Sequence, residues 1–443
     1  MTIARTICLG FVAVILLGTS LLMLPISVST GEWNSPLVAL FTATSAVCVT
    51  GLIVVDTGTH FSVWGQAFIL GLIQIGGLGY MTTTTFLMLI LRRRFDLRQK
   101  VAIQSSFDRP FRQGSRHLMR SILAVTLAFE LLGTLGLFRT FASQYGVGQG
   151  LWLATFHSIS AWNNAGFSLF PDSLVRYCGH WWVNGVICGL IILGGIGYQV
   201  ILELFLWGQS LRRPVRLGFS LNFKVVMSTT LFLLVLGWLA FGITEFQNPM
   251  TLGGLSGPEQ LLTTLFQSVT TRTAGFNTLD FGQMGDAALV VSLGLMLIGA
   301  SPSGTGGGIK TTTLRILLNC TRSTLQGRER AVMYGRALSN TLIFKAIAVL
   351  MGSGITVGLV TFLLAMTEPQ KFPFLHLLFE AVSAFATVGL STGITADFSA
   401  WGQGILILTM YIGRVGILVF IAALIGDPSP SQVQYPEENL LVG

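Results

Sequence analysis

Long apolar stretches alternate with shorter polar segments along the whole chain. They lie at 6–27, 65–91, 119–141, 181–207, 223–243, 287–300, 341–366 and 401–425. A helix that crosses a bilayer needs about 20 mostly apolar residues. The pattern therefore predicts an all-α membrane protein with eight transmembrane helices. The segments that follow the odd-numbered stretches are too short and too polar to cross. Each has room for a half-helix of about ten residues and an extended strip. The first stretch follows Arg5 as a signal sequence would, but Leu22-Met23-Leu24-Pro25 offers no small-residue cleavage site, so an uncleaved first span is expected.

The polar segments repeat. Phe41 to Leu52, Phe156 to Phe167, Phe266 to Phe276 and Phe379 to Leu390 share one pattern: a phenylalanine, a run of small and hydroxyl residues, then glycine. The glycines Gly51, Gly166, Gly275 and Gly389 stand at nearly even intervals. The third copy is one residue shorter between its Phe and its Gly, so it aligns backward from the glycine. A second element follows each glycine: Ile75-Gly76-Gly77-Leu78-Gly79-Tyr80 matches Leu193-Gly194-Gly195-Ile196-Gly197-Tyr198, with Ile298-Gly299 and Ile412-Gly413 at similar distances. Each repeat reads as an outgoing span, a short outer segment ending in glycine, and a returning span. The expected division is 1–118, 119–222, 223–340 with a broken second span, and 341–425, followed by a cytoplasmic tail, 426–443. Four such units imply helix–pore loop–helix pseudo-repeats around one central pore.

Charge changes the picture in two ways. Only 10% of the 443 residues are charged and 52% are hydrophobic, with mean hydropathy +0.72, whereas soluble domains carry about 25% charged residues. A soluble enzyme and a nucleic-acid binder are poor fits despite the net charge of +8. Most of the 26 Lys and Arg residues cluster at Arg5, in the 92–120 loop, between Arg212 and Lys224, and between Lys310 and Lys345. These segments share one face if the chain crosses twice between clusters. Basic residues stay cytoplasmic, which puts both termini inside; contact with anionic lipid is a second use for them. Glu32, Asp56, Asp172, Glu245, Glu259, Asp280, Asp286, Glu368 and Asp397 fall on the opposite face, where they would draw in cations.

The strips themselves carry the chemistry. Val49-Thr50-Gly51, Asn164-Ala165-Gly166, Thr273-Ala274-Gly275 and Thr387-Val388-Gly389 are the candidate filter. Irregular backbone at membrane depth survives where it lines a cavity or is packed in protein. Rings of backbone carbonyls replace the hydration shell of an alkali cation, and glycine lets the backbone leave ordinary β geometry. No carboxylate lies within the strips, which favours a monovalent over a divalent ion. The alternative is four ordinary helix-ending glycines.

The sixth apolar stretch runs into Gly299-Ala300-Ser301-Pro302-Ser303-Gly304-Thr305-Gly306-Gly307-Gly308-Ile309-Lys310, through which no helix continues: glycine costs about 1 and proline about 3 kcal/mol in a helix interior. This break lies where it would obstruct a pore below the strips. A structural kink and a phosphate loop are the alternatives, although Ile309 separates Gly308 from Lys310 and so spoils the Gly-Lys-Ser/Thr run that a phosphate loop needs. Arg414 stands within the last apolar stretch, an expensive position that marks a functional residue by default. Its alternative is a structural pairing with Glu380, Glu203 or Glu130. Arg272 adjoins the third strip, as an ion contact or as a brace for the pore helix.

On the four glycine strips, the glycine-rich break and Arg414, the chain resembles the Ktr/Trk/HKT potassium-transporter superfamily over essentially its whole length, and within it the KtrB-type membrane subunits of Ktr systems. Eight spans without an added N-terminal pair fit Ktr better than Trk, and Gly51, which some HKT proteins replace by serine, fits potassium over sodium. The resemblance implies a channel-like K+ uptake subunit without a resident cofactor, in a bacterial inner (plasma) membrane. It also implies an intramembrane gate built from Gly304, Thr305, Gly306, Gly307, Gly308 and Lys310 with Arg414 hydrogen-bonded to it beneath the filter. The implied partners are a second copy, forming a homodimer, and a cytosolic KtrA-type ring that binds ATP or ADP. Some Ktr systems use Na+ as an activating ion, but no residue here marks that coupling.

Other classes find little in the sequence. His60, His117, His157, His180 and His376 are scattered, and Cys8, Cys48, Cys178, Cys188 and Cys320 form no metal-binding or disulfide pattern. A polytopic membrane enzyme would need convergent acid, base or nucleophilic residues. A sodium-driven carrier would more often show two inverted repeats, whereas these four run parallel. The GGLGY and GGIGY runs lack a βαβ context and read as small residues for close helix packing.

Overall fold

The computed structural model describes residues 2–79, 115–210, 218–328 and 330–426. The basic residues Arg92 to Arg112, Arg212, Arg213 and Arg216, together with Tyr80 and the tail from 427, lie outside the described residues. Sixteen α-helices and one short hairpin are described. Four helices pass as single membrane spans by length and apolarity: α1 (Ile3–Met23), α5 (Ser115–Tyr145), α9 (Leu221–Glu245) and α13 (Asn340–Thr367).

Each of these is followed by a shorter buried helix: α2 (Pro36–Cys48), α6 (Val147–Trp162), α10 (Gly257–Thr270) and α14 (Phe374–Phe385). At 12 to 16 residues these exceed the ten or so expected from the sequence. Pro36 and Pro258 occupy first-turn positions, where proline gives up no bond. Ser256 and Glu259 form a capping box on α10.

The returning elements are α4 (Val63–Leu78), reached through the single turn α3 (Thr57–His60), then α7 (Trp181–Ile196), α11 (Asp286–Leu297) and α15 (Ala400–Val415). Ser62 and Ser399 cap α4 and α15 through hydrogen bonds of 3.2 Å. Glu245 and Glu368, at the ends of α9 and α13, accept from the backbone N–H of Gly285 and Ser399 at 3.0 and 2.7 Å and tie each outgoing helix to the start of its return. Trp64, Trp181, Trp182 and Trp401 are exposed at the same ends, the level at which an aromatic belt meets headgroups.

The returning apolar stretches are not the continuous helices that hydropathy suggests. At Gly197 the chain turns by 99° from α7 into α8 (Tyr198–Ser210), and at Gly416 by 96° from α15 into α16 (Ile417–Ile425). Gly79 caps the end of α4 with the same backbone hand. The three glycines have φ of +79°, +90° and +88°, open to glycine without a Cβ penalty. In the third unit the break between α11 and α12 (Thr311–Leu325) takes this place. Counting each bent pair as one, up to six spans are recognised among the described residues. The hairpin β1 (Val332–Met333) and β2 (Arg336–Ala337) joins α12 to α13.

The helices pack in cyclic order. Each returning helix rests on the short helix of the next unit: α4 on α6, α7 on α10, α11 on α14, and α15 back on α2. The core under these seams is aromatic, with Phe41, Phe156, Phe266 and Phe379 each fully buried, which is why all four repeats keep that phenylalanine.

Candidate functional site

Each short helix ends in a backbone that alternates hand. Val49, Asn164, Thr273 and Thr387 have φ of 56°, 57°, 70° and 50°, and the glycines two residues on have 90°, 70°, 77° and 89°. A non-glycine residue with positive φ is uncommon and strained. Here it occurs at the same place in all four strips. The strain is held by hydrogen bonds from the helix end. The N–H groups of Thr50, Ala165 and Val388 donate to the carbonyls of Ser45, Ser160 and Ser383 at 2.8, 2.8 and 2.9 Å. Ser45 and Ser383 Oγ accept from the N–H of Gly51 and Gly389 at 3.1 Å. Ser160 and Thr270 hydroxyls instead donate to the carbonyls of Phe167 and Phe276. In the third strip the Ala274 N–H reaches Thr270, one residue nearer than in the others. The missing residue is thus absorbed in the helix end and leaves the strip itself unchanged.

The four glycines meet. A Cβ on Gly51 would overlap the Ala165 carbonyl. One on Gly166 would lie 2.8 Å from the Gly275 Cα, one on Gly275 would lie 2.5 Å from the Val388 carbonyl oxygen and 3.3 Å from the Gly389 Cα, and one on Gly389 would overlap the Thr50 carbonyl. The contacts close a ring in chain order, too tight for any side chain, with peptide groups facing one another. The glycines of the second element hold the ring from behind. Any Cβ on Gly76, Gly194 or Gly413 would strike the carbonyl of Val47, Trp162 or Phe385, the residue four before each strip glycine.

The break between α11 and α12 passes beneath this ring. Its ends pair with each other: the Gly299 N–H donates to Ile309 O at 2.9 Å, and the Ile309 N–H to Leu297 O at 3.1 Å. Its middle is fixed to the second unit by the Ser301 and Thr305 N–H groups, which donate to Gly195 O (3.0 Å) and Gly194 O (3.2 Å), and by the Tyr198 N–H, which donates to Ser303 O (3.1 Å). Thr305 Oγ1 reaches the Trp162 carbonyl. Gly306 and Gly307 sit directly against the hydroxyls of Thr273 and Thr387, which have no hydrogen-bond partner. Lys310 Nζ folds back onto the Gly306 carbonyl at 2.7 Å. Arg414 donates to the carbonyls of Thr305 and Gly76.

The four strips, the break, Lys310 and Arg414 are therefore brought together in space. Arg414 pairs with none of the three glutamates offered as alternatives: Glu380 accepts from Ser391, Thr392 and Thr395, Glu130 from Asn163, and Glu203 from Ser220. Arg272 Nη2 lies 3.5 Å from Gly299 O, a brace between strip and break. Below the break opens a cavity of about 950 Å³ lined by Gly304 to Gly308, Lys310, Arg414 and apolar side chains of α1, α5 and α16. The sequence reading named Glu130 only as a candidate partner of Arg414 and missed its meeting with Asn163 and Gln74 behind the second strip. Polar residues inside apolar stretches were the available signal.

Four strips that meet in a ring, with the break packed against one side of it inside an apolar helical shell, define a polytopic membrane protein. The chain matches the family described as TrkH, cation transport protein, over residues 6–435, and it belongs to that family. It is 41% identical to Ktr system potassium uptake protein B of Bacillus subtilis, over 99% of this chain and 96% of that one. It is 36% identical to potassium/sodium uptake protein NtpJ of Enterococcus hirae, over 99% and 97%. The solved structure of the potassium transporter TrkH from Vibrio parahaemolyticus shares the fold, with TM-score 0.70 at 17% identity, over 94% of this chain and 85% of that one.

Proposed function

We propose that the chain is the potassium-translocating subunit of a channel-like K+ uptake system. The observation that carries this reading is the closed ring of Gly51, Gly166, Gly275 and Gly389, with left-handed backbone at matched positions. Peptide oxygens turned to one axis substitute for the waters of a K+ ion. The filter is then Val49 to Gly51, Asn164 to Gly166, Thr273 to Gly275 and Thr387 to Gly389. The relatives carry names of potassium uptake proteins, and the name of NtpJ adds sodium, which supports Na+ as an activating ion.

In this reading the chain crosses eight times, as four pseudo-repeats around one pore, with α4, α7–α8, α11–α12 and α15–α16 as the inward crossings. The break from Gly304 to Lys310 is the gate. It lies across the path under the filter, and Arg414 and Lys310 place positive charge where a cation must pass, raising the barrier until the loop moves. Both termini face the cytoplasm of a bacterium, across its inner membrane. A second copy and a nucleotide-binding ring complete the system.

The test is Rb+ and Na+ uptake into cells lacking other potassium uptake, by the full chain and by Gly→Ser variants at 51, 166, 275 and 389. Loss of uptake or of Rb+ preference at several positions is the expected result; four silent substitutions would leave the ring without this role.

A further inference from the structure

Asn163 stands three residues before Gly166, at the end of α6. Its side-chain amide nitrogen has three acceptors: Gln74 Oε1 at 2.9 Å, Ile159 O at 2.9 Å and Glu130 Oε1 at 3.2 Å. Gln74 belongs to α4 of the first unit, and Glu130 to α5. One amide thus joins three helices at the seam behind the second strip. Glu130 is 5% exposed and pairs with no Lys, Arg or His among the described residues. A buried carboxylate in an apolar shell is costly and is retained for a task.

The neighbouring contacts indicate that task. The Glu130 carbonyl accepts from Ser158 Oγ on α6 at 2.6 Å. Phe129 stacks on Trp162 with centroids 4.8 Å apart and planes 8° from parallel. Two consecutive residues of α5 therefore grip two consecutive residues at the end of α6, just where the backbone turns left-handed at Asn164. The matching positions in the other strips are Cys48, Arg272 and Ala386, none of which offers a side-chain amide; the carboxylate beside the fourth strip, Glu380, instead holds the residues that follow Gly389.

We infer that Glu130 is a positioning residue for ion selectivity: through Asn163 it holds the backbone of Asn164-Ala165-Gly166 and so fixes where the second strip's carbonyls stand. This rests on the ring being the filter. Ion size is discriminated by a carbonyl cage only while the cage resists closing on the smaller ion, and one loose strip relaxes all four, because each glycine packs on the next.

The experiment measures the Rb+ to Na+ uptake ratio of the full chain at matched amounts of membrane-inserted protein. Glu130→Leu and Asn163→Leu should each lower the ratio about tenfold, the worth of one buried hydrogen bond. The double variant should be no worse than either single one, and Glu130→Gln, which keeps an acceptor for the Asn163 amide, should restore most of the ratio. A wild-type ratio in Glu130→Leu, a reduced rate at unchanged ratio, or additive losses in the double variant would overturn the inference. If Glu130→Leu does not insert, Gln74→Leu removes the other side-chain acceptor and decides the matter by the same ratio. A Gly166→Ser variant in the same assay separates the two levels: if it abolishes the ratio while the Glu130 variants are silent, the inference alone fails; if it too is silent, the filter reading fails and takes the inference with it.

Discussion

Arg414 donates to the carbonyl of Thr305, 109 residues earlier in the chain, and with its other amino group to the carbonyl of Gly76. One guanidinium thereby links the fourth unit, the break and the first unit. The planar fork of arginine suits two acceptors at once, which a lysine ammonium on its single stem matches poorly.

Replacing Arg414 by Ala removes both bonds and a positive charge that lines the cavity. The expected outcome is faster cation entry, of the order of tenfold in Rb+ uptake rate for a barrier lowered by about 1.4 kcal/mol. Arg414→Lys keeps the charge and loses the bridge, and should fall between the two. Unchanged uptake kinetics in well-inserted Arg414→Ala would remove the residue from gating.

Gly306 and Gly307 have no room for a methyl group, because the Thr273 and Thr387 hydroxyls occupy it. Gly307→Ala should push the break away from the fourth strip and change the Rb+ uptake rate. Adding Thr387→Ala clears the nearest atom and should return the rate toward wild type. A double variant that stays as altered as the single one would show that the contact is not what matters.

The two bend glycines differ in a testable way. Both Gly197 and Gly416 have φ near +90°, so alanine at either strains the backbone by about 1–2 kcal/mol. Around Gly416 there is open space, whereas a Cβ on Gly197 would strike the Pro302 carbonyl. Thermal unfolding should show both variants destabilised, and Rb+ uptake should be disturbed more by Gly197→Ala. Equal uptake in the two would break the link between this bend and the obstruction.

Ser45 and Ser383 do the same work in adjacent strips of the ring, each accepting from the N–H of a strip glycine. Ser45→Ala or Ser383→Ala leaves a buried donor unpaired, at about 1–3 kcal/mol. The two should lower uptake by similar factors. A strong effect at one and none at the other would contradict their equivalence.

The short helices and their terminal strips were legible because the same small, hydroxyl and glycine residues recur at four places, and recurrence survives without coordinates. The break was legible because Pro302 and a run of glycines deny a helix outright. The bends at Gly197 and Gly416 were not. A single glycine in an apolar stretch costs a helix only about 1 kcal/mol, and hydropathy is blind to direction. Nor was the Asn163–Glu130–Gln74 cluster, since its members lie far apart in sequence and belong to no repeating pattern. Only the packing of both α4 and α5 on α6 brings them together.

Because all four quarters of the ring are cut from one continuous polypeptide, each can carry a different residue at an equivalent place: Val49, Asn164, Thr273 and Thr387 on the inner side, Cys48, Asn163, Arg272 and Ala386 behind them. An assembly of four identical chains would have to repeat every change fourfold. Here the glycine-rich break belongs to one quarter, the arginine bonded to it to another and a polar tether to a third. Damage to any one of them should therefore produce its own distinct defect rather than a graded version of the same one.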